Sequence, residues 1–259
     1  MNQGLLANMH RRGGGLTHIT CQHYPQAPNR LTVMLTINPV DAMGANRITQ
    51  VCEAIKHLLS DVMEGSLAIL SNHMTDGLTT AKLTLPNISP SVGRAIESAS
   101  RFAEIDLHRA TTSNKGIMNA IDAMAIATGN DWRALSAGVH TYSAHVAKSP
   151  SLSTWRYQED TLHGTLTLPL QIGVVGGVTQ LHPLAQQALT WMKAHTRREC
   201  ANVMAAAGLL QNLAALRVLT QEGLIQGHMT QHLSNLFGRL NIPTATQAIL
   251  RPILGVHVE

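Results

Sequence analysis

The chain has 259 residues, a formal charge of +4, 44% apolar residues and only 3% aromatics. That length buries a substantial core in one large domain or two smaller ones, and the core must be aliphatic; the scarcity of aromatic rings excludes a stacking platform for single-stranded nucleic acid. The basic residues are scattered, with only Arg11–Arg12 and Arg197–Arg198 adjacent, so no nucleic-acid stripe is present and the modest positive balance suits small polyanions among many other partners.

In chain order, a weak apolar run before His10-Arg11-Arg12 is too short for a signal peptide. Gly13-Gly14-Gly15 reads as a turn. Leu16 to Tyr24 and Leu31 to Ile37 alternate as a pair of strands, with Pro25, Pro28 and Asn29 between them. Asp41-Ala42-Met43-Gly44-Ala45-Asn46 opens a helix expected to run to about Met63, and Ser66 to Leu70 reads as a short strand. Taken alone, the Asp41 segment is either an Asp-capped helix with a close-packing glycine or a phosphate-accepting helix start; it lacks a three-glycine dinucleotide fingerprint.

Thr79 to Leu85 reads as a strand and Pro90 to Leu107 as a helix. Ile117 to Ala127 is apolar and free of proline, which suggests a buried helix entered through Gly116. Asp131 before Trp132, Arg133 and Ala134 stands where an N-cap stands. Two successive helix ends bring Lys115 and Asp131 within range if the first helix doubles back; the alternative is a capping aspartate and an ordinary surface lysine.

Thr154 to Tyr157 and Thr161 to Leu168 form a second hairpin around Glu159-Asp160. Gly173 to Gly177 is a loop for close backbone approach or a plain turn, and a helix starts at His182-Pro183. Arg198 to Leu219 is the most hydrophobic helix. Its interruption by Gln211, Asn212 and Arg217 reads as a buried core helix rather than a membrane span, with Gln211 and Asn212 in need of polar partners. Pro243 and Pro252 bracket a short helix. Cys21, Cys52 and Cys200 are odd in number and without CxxC spacing, which argues against disulfides or zinc. His228 and His232 lack a carboxylate to complete a ligand set, so no metal is expected. These features suit a soluble, cytoplasmic protein with no membrane or nucleic-acid partner.

Four blocks, read together and in order, carry a resemblance. DAMGAN at Asp41 to Asn46, NKGIMNAID with ATGNDWRA between Asn114 and Ala134, VVGGVTQLHP at Val174 to Pro183, and AAAGLLQNLAALRVLTQEGLIQGHM at Ala205 to Met229 resemble class II, bacterial-type 3-hydroxy-3-methylglutaryl-coenzyme A reductase. The resemblance implies an α+β fold: residues 1–76 as a partial small ferredoxin-like α/β domain for the dinucleotide, and 77–259 as a helix-rich large domain with a sheet. It implies reduction of a thioester to an alcohol by two hydrides, with HMG-CoA, mevalonate and coenzyme A as ligands.

That chemistry needs a cation for the developing oxyanion, a proton source for the oxygen and an acid for the departing thiolate. The resemblance places the cation on Lys115, the aspartate that hydrogen-bonds and tunes it on Asp131, and the acid for the thiolate on His228. It places substrate contacts on Arg109, whose planar fork suits a carboxylate, and on Asn72, Asn119 and Gln211. Each of these polar residues has a plain structural hydrogen bond as its alternative. Asp41, Ala42, Met43, Gly44 and Asn46 fall on the dinucleotide site. Gln3 to Arg12 contains no acid to accept a ribose hydroxyl, and Arg11 and Arg12 suit a 2′-phosphate, so NADP(H) is favoured over NAD(H). A homodimer or larger assembly is implied because the family's active sites form between subunits.

The family also carries a catalytic glutamate in an ENVIG-like motif upstream of DAMGAN. No glutamate here, Glu53, Glu104 and Glu222 included, lies in such a context, and the tail after His228 does not resemble the family's helical flap. The expectation is therefore a chain lacking the N-terminal part of the family, incomplete or inactive in isolation. The alternative is a non-catalytic paralogue that binds coenzyme A thioester or dinucleotide, or pairs with a full-length reductase.

Overall fold

The computed structural model describes residues 1, 3–62, 64–65, 67–145, 147–221 and 233–255. The chain begins with α1 (Ala7–Arg11), β1 (Gly15–His23), β2 (Leu31–Asn38) and α2 (Ala45–Leu58). The strands pair antiparallel from Gly15↔Asn38 to His23↔Leu31, with a register irregularity between Leu16 and His18. This is the hairpin that the alternation predicts. Beneath it lies a small cluster of buried Leu6, Met9 and Val51, with Leu16, Leu35, Ile37 and Ile55 packed against it. Helix α2 starts four residues later than expected and stops at Leu58, short of Met63, which lies outside the described residues. The strand expected at 66–70 is not present over 67–70, and Ser66 is outside the described residues.

The second unit is built on a three-stranded antiparallel sheet in the order β3-β5-β4, from β3 (Leu78–Leu85), β4 (Ser153–Gln158) and β5 (Thr161–Pro169). Glu159 and Asp160 both take positive φ, 47° and 56°, the geometry of a two-residue turn whose twist matches its strands. Asp160 also accepts the Tyr157 hydroxyl at 2.7 Å. On β5, Leu162, Leu166 and Leu168 are buried, the inward set of a period-two pattern. Against them lie α3 (Pro90–Ile105), α4 (Leu107–Ala127), α5 (Trp132–His145) and α8 (Arg197–Gln221), with α6 (Gly177–Leu181) and α7 (Pro183–Trp191) leading into α8. Helices and antiparallel sheets together make the α+β class.

Helix α4 is longer than its local sequence suggests. Asp106 caps it, accepting the Arg109 N–H at 2.7 Å, and Ala110, Ile117, Ile121 and Ala125 form a continuous buried stripe. Gly116 is therefore mid-helix, and its cost of roughly 1 kcal/mol is overridden by that stripe. Helix α8 is long and apolar enough to cross a membrane by length and composition; in this fold Cys200, Met204, Ala205, Leu209 and Leu216 of α8 are buried in the core. Asn212 is its buried polar group and finds three partners: Oδ1 accepts from Trp155 Nε1 at 2.8 Å and Ser153 Oγ at 2.9 Å, and Nδ2 donates to Ser113. The tail has a helical run over 233–239 and α9 (Thr244–Gly255), which contains Pro252 instead of ending before it.

Candidate active site

The site is built where the loop after β2 crosses to the second unit. Val40 lies at φ 61°, a region costly for a β-branched residue, and its N–H donates to Asn38 Oδ1 at 3.0 Å. Asp41 follows. Its carbonyl accepts the Val174 N–H at 2.8 Å, and its Oδ1 accepts the Arg197 N–H at 3.0 Å. The local reading of Asp41 as a cap of the next helix is thus corrected: Gly44, at φ 91°, is the N-cap of α2, whose first turn no side chain caps. Asp41 instead holds the start of α8, across 156 positions of sequence.

Thr196 and Glu199 close the same terminus reciprocally, with Thr196 N–H donating to Glu199 Oε2 at 2.9 Å and Glu199 N–H to Thr196 Oγ1 at 3.2 Å. Hydrogen bonds from the His195 and Thr196 backbone hold the Glu199 carboxyl below its usual range. Burial pulls the Arg197 guanidinium below the ordinary arginine value, against the charge of Asp41.

The second seam is glycine on backbone. A Cβ on Gly173 would stand 2.3 Å from the Met43 nitrogen, so only hydrogen fits there. The Gly173–Gly177 loop is thereby a close-approach loop, one of its two sequence readings. Asn130 clamps Gly173 from the other side. Its Nδ2 donates to the Gly173 carbonyl at 3.0 Å and its Oδ1 accepts the Gly173 N–H at 2.7 Å. Gly129, at φ 71°, brings this turn against Val178 and Thr179. Three stretches distant in sequence, 42–47, 129–131 and 173–179, thus frame one cleft of about 290 Å³. A larger cavity of about 660 Å³ lies between the hairpin, α2 and residues 64–65 and 67–69, and none of the recognised motifs lines it.

The residues assigned to proton transfer are less well assembled. Lys115 is exposed in the middle of α4, 12 residues before its last residue, Ala127, or about 18 Å along the axis. Asp131 caps α5 by accepting the Arg133 and Ala134 N–H groups at 3.1 and 3.2 Å, and its ion pair is with Arg133 at 3.4 Å. The expected contact between Lys115 and Asp131 is not formed within the chain, because α4 runs straight through Gly116 instead of starting there. Asn119 shares the exposed stripe of Lys115, while Arg109 is half-buried on a different side of the helix.

Gln211 and Asn72 are exposed; the buried amide of the Gln211-Asn212 pair is Asn212. Arg11 and Arg12 stand at the end of α1, and both donate to Asn8. His228 lies outside the described residues. Sequence reasoning missed Asn130 and Arg197, whose roles depend on partners far along the chain. It also passed over Asp122: its Oδ1 is buried without a hydrogen-bond partner among the described residues, and burial raises its pKa against the opposing charge of His140.

The family model described as hydroxymethylglutaryl-coenzyme A reductase matches residues 4–233. The chain is 38% identical over 231 residues to 3-hydroxy-3-methylglutaryl-coenzyme A reductase of Archaeoglobus fulgidus, covering 86% of this chain and 53% of that protein. It is 31% identical over 242 residues to a probable reductase of the same name from Borreliella burgdorferi, covering 90% and 56%. Among solved structures it is similar to the class II reductase of Streptococcus pneumoniae bound to NADPH in open conformations, with TM-score 0.77, 35% identity, and coverage of 84% of this chain and 62% of that one. A second structure of the Streptococcus pneumoniae reductase superposes with TM-score 0.79 at 33% identity, covering 98% and 63%. The chain spans about half the length of the curated relatives it matches.

Proposed function

This chain belongs to the hydroxymethylglutaryl-coenzyme A reductase family, and on that premise we propose that it takes part in the NAD(P)-dependent interconversion of HMG-CoA with mevalonate and coenzyme A in the cytoplasm. The observation that carries the reading is the convergence of DAMGAN, TGND and GVVGGVT on one cleft. Three of the four blocks that carry the resemblance meet there, although they lie far apart in sequence. Residues 1–76 serve as the dinucleotide-binding part and 77–259 as the substrate and catalytic part. In this reading Asp41 to Asn46 hold the cofactor, which supplies hydride. Lys115 stabilises the developing oxyanion, Asp131 tunes it, and His228 protonates the thiolate. Arg109, with Asn72, Asn119 and Gln211, orients the substrate.

The exposure of Lys115 supports a further part of the proposal, that the chain works as a homodimer or larger assembly. An ammonium on an outward helix face, whose own-chain Asp131 is paired with Arg133 instead, meets its acidic partners on a second subunit in this reading, as the intersubunit sites of the family imply. Light scattering of the purified protein is expected to give a dimer or more; a monomer at micromolar concentration would remove this part. Oxidation of NADPH in the presence of HMG-CoA, abolished by Lys115→Ala, is the test of the activity. Binding of NADPH and coenzyme A without turnover would instead favour a binding paralogue.

For cofactor choice we propose NADP(H) over NAD(H). Arg11 and Arg12 are exposed just before the glycine turn, and Gly14 packs against Asn38 and Val40 at the entry to the Asp41 loop. Replacing both arginines by Ala is expected to reduce the preference for NADPH over NADH in calorimetric titrations, by about tenfold for one charge-assisted pair lost. Equal affinities in the unmodified protein would refute the preference.

A further inference from the structure

The lining of the cleft carries little charge. Glycine, alanine, valine, methionine, threonine and asparagine make up most of it, and among the described lining residues Arg47 is the one basic side chain and Asp131 the one acidic side chain. The carboxylate of Asp131 is already engaged by the α5 backbone and by Arg133. Arg47 is exposed in the first turn of α2, and it donates from Nη1 to a neutral group, Gln50 Oε1, at 3.1 Å. Among the described residues no carboxylate stands within salt-bridge distance of it. A guanidinium has five N–H donors, so most remain available together with an uncompensated charge.

Across the cleft, Gly176 and Gly177 present bare backbone at φ 83° and 55°, and nothing lies within 4 Å of the place where a side chain would begin at either position. The cleft thus pairs one unspent cation with open space against backbone, which is the arrangement a phosphate group needs. Its volume of about 290 Å³ is at the lower end for ligand pockets and fits a portion of a dinucleotide rather than the whole. Arg11 and Arg12 do not line it and are bonded to Asn8.

We infer that Arg47 is the phosphate anchor of this cleft, pairing with the pyrophosphate common to NAD(H) and NADP(H). The inference rests on the cofactor reading above and assigns a residue outside the recognised motif. Arg47 sets affinity for both dinucleotides, whereas discrimination between them is left to Arg11 and Arg12.

The test is titration of the purified chain with NADPH, NADH and coenzyme A, followed by nicotinamide fluorescence or calorimetry, for the unmodified protein and for Arg47→Ala, Arg47→Lys and the Arg11→Ala/Arg12→Ala double variant. Loss of a charge-assisted bond predicts that Arg47→Ala weakens NADPH and NADH by the same factor, about 10- to 100-fold, with partial recovery in Arg47→Lys and no change for coenzyme A. Circular dichroism and the melting temperature should be unchanged, because the side chain is exposed. Unaltered dinucleotide binding in Arg47→Ala overturns the inference. A loss confined to NADPH overturns it in favour of the 2′-phosphate, and a loss confined to coenzyme A overturns it in favour of the substrate. If the unmodified protein binds neither dinucleotide, the cofactor reading itself fails and the inference falls with it; binding by the unmodified protein with no effect of Arg47→Ala refutes the inference alone.

Discussion

The two units of this molecule are held in different ways. The sheet β3-β5-β4 with its helices encloses a continuous core in which Trp155, Leu166, Leu168, Ile117 and Ile121 are completely buried. Among the described residues, the apolar side chains that the N-terminal hairpin and its two helices bury are Leu6, Met9 and Val51, while Ile19 at 50% and Met34 at 47% stay exposed on the strands. A core of that small size contributes little independent stability. The position of the first unit is therefore set by a few polar and backbone contacts at the seam: Asp41 on Arg197 and Val174, and Met43 against Gly173. The cleft of about 290 Å³ sits on that seam, so its shape depends on the weaker unit staying docked to the stronger one.

The largest effect is expected in the second unit. Trp155→Ala removes a fully buried ring and leaves Asn212 Oδ1 with one donor fewer, which should cost about 3–5 kcal/mol in denaturant unfolding. A loss below about 1 kcal/mol would show that this core is not the scaffold.

Next is the ion pair of Glu104 with Arg156, two bonds of 2.7 and 2.6 Å joining α3 to β4. Hydrogen bonding to Arg156 outweighs partial burial and holds the Glu104 carboxyl below its ordinary value. Its contribution is present above the unfolded-state pKa of about 4.3 and is lost as pH falls through the depressed folded value. Glu104→Gln should therefore cost about 2 kcal/mol at neutral pH, between exposed and buried pairs. It should also flatten the acid side of the stability curve; an unchanged acid limb would assign that limb to other groups.

Gly173→Ala acts at the seam itself. The added methyl meets Met43 backbone at 2.3 Å and should cost about 1–3 kcal/mol as overpacking. NADPH binding should be lost while hydrogen exchange in β3 and β5 stays protected. Retained binding would mean that the cleft tolerates a shifted Asp41 loop.

Val51→Ala is the smallest change, about 1.5 kcal/mol for two buried methyl groups. Its effect should be confined to faster exchange in β1 and β2. A parallel rise in β5 would show that the two units open together and that the contrast between them is wrong.

Both hairpins were legible in the sequence because alternation and turn residues act over a few positions: Glu159-Asp160 and the Pro25 to Asn29 stretch locate them. The Asp131 cap and the buried nature of the 198–219 helix were legible for the same reason. The start of α4 was misplaced. Asp106 was a visible cap, yet Gly116 drew the boundary, and only packing of Ile117 and Ile121 on the sheet and α8 carries the helix through that glycine. The residues 67–70 show the converse, an apolar run that forms no strand although the two-stranded sheet β1-β2 has open edges.

At the site, DAMGAN, TGND and GVVGGVT were each readable as motifs. Their meeting in one cleft was decided by tertiary contacts, as were the capping of α8 by Asp41 and the clamping of Gly173 by Asn130. Helix and turn preferences arise from the backbone and its near neighbours, so a single sequence carries them. The partner of a carboxylate 156 positions away is chosen by which backbone donors the packed core leaves unsatisfied beside it, and that is a property of the fold.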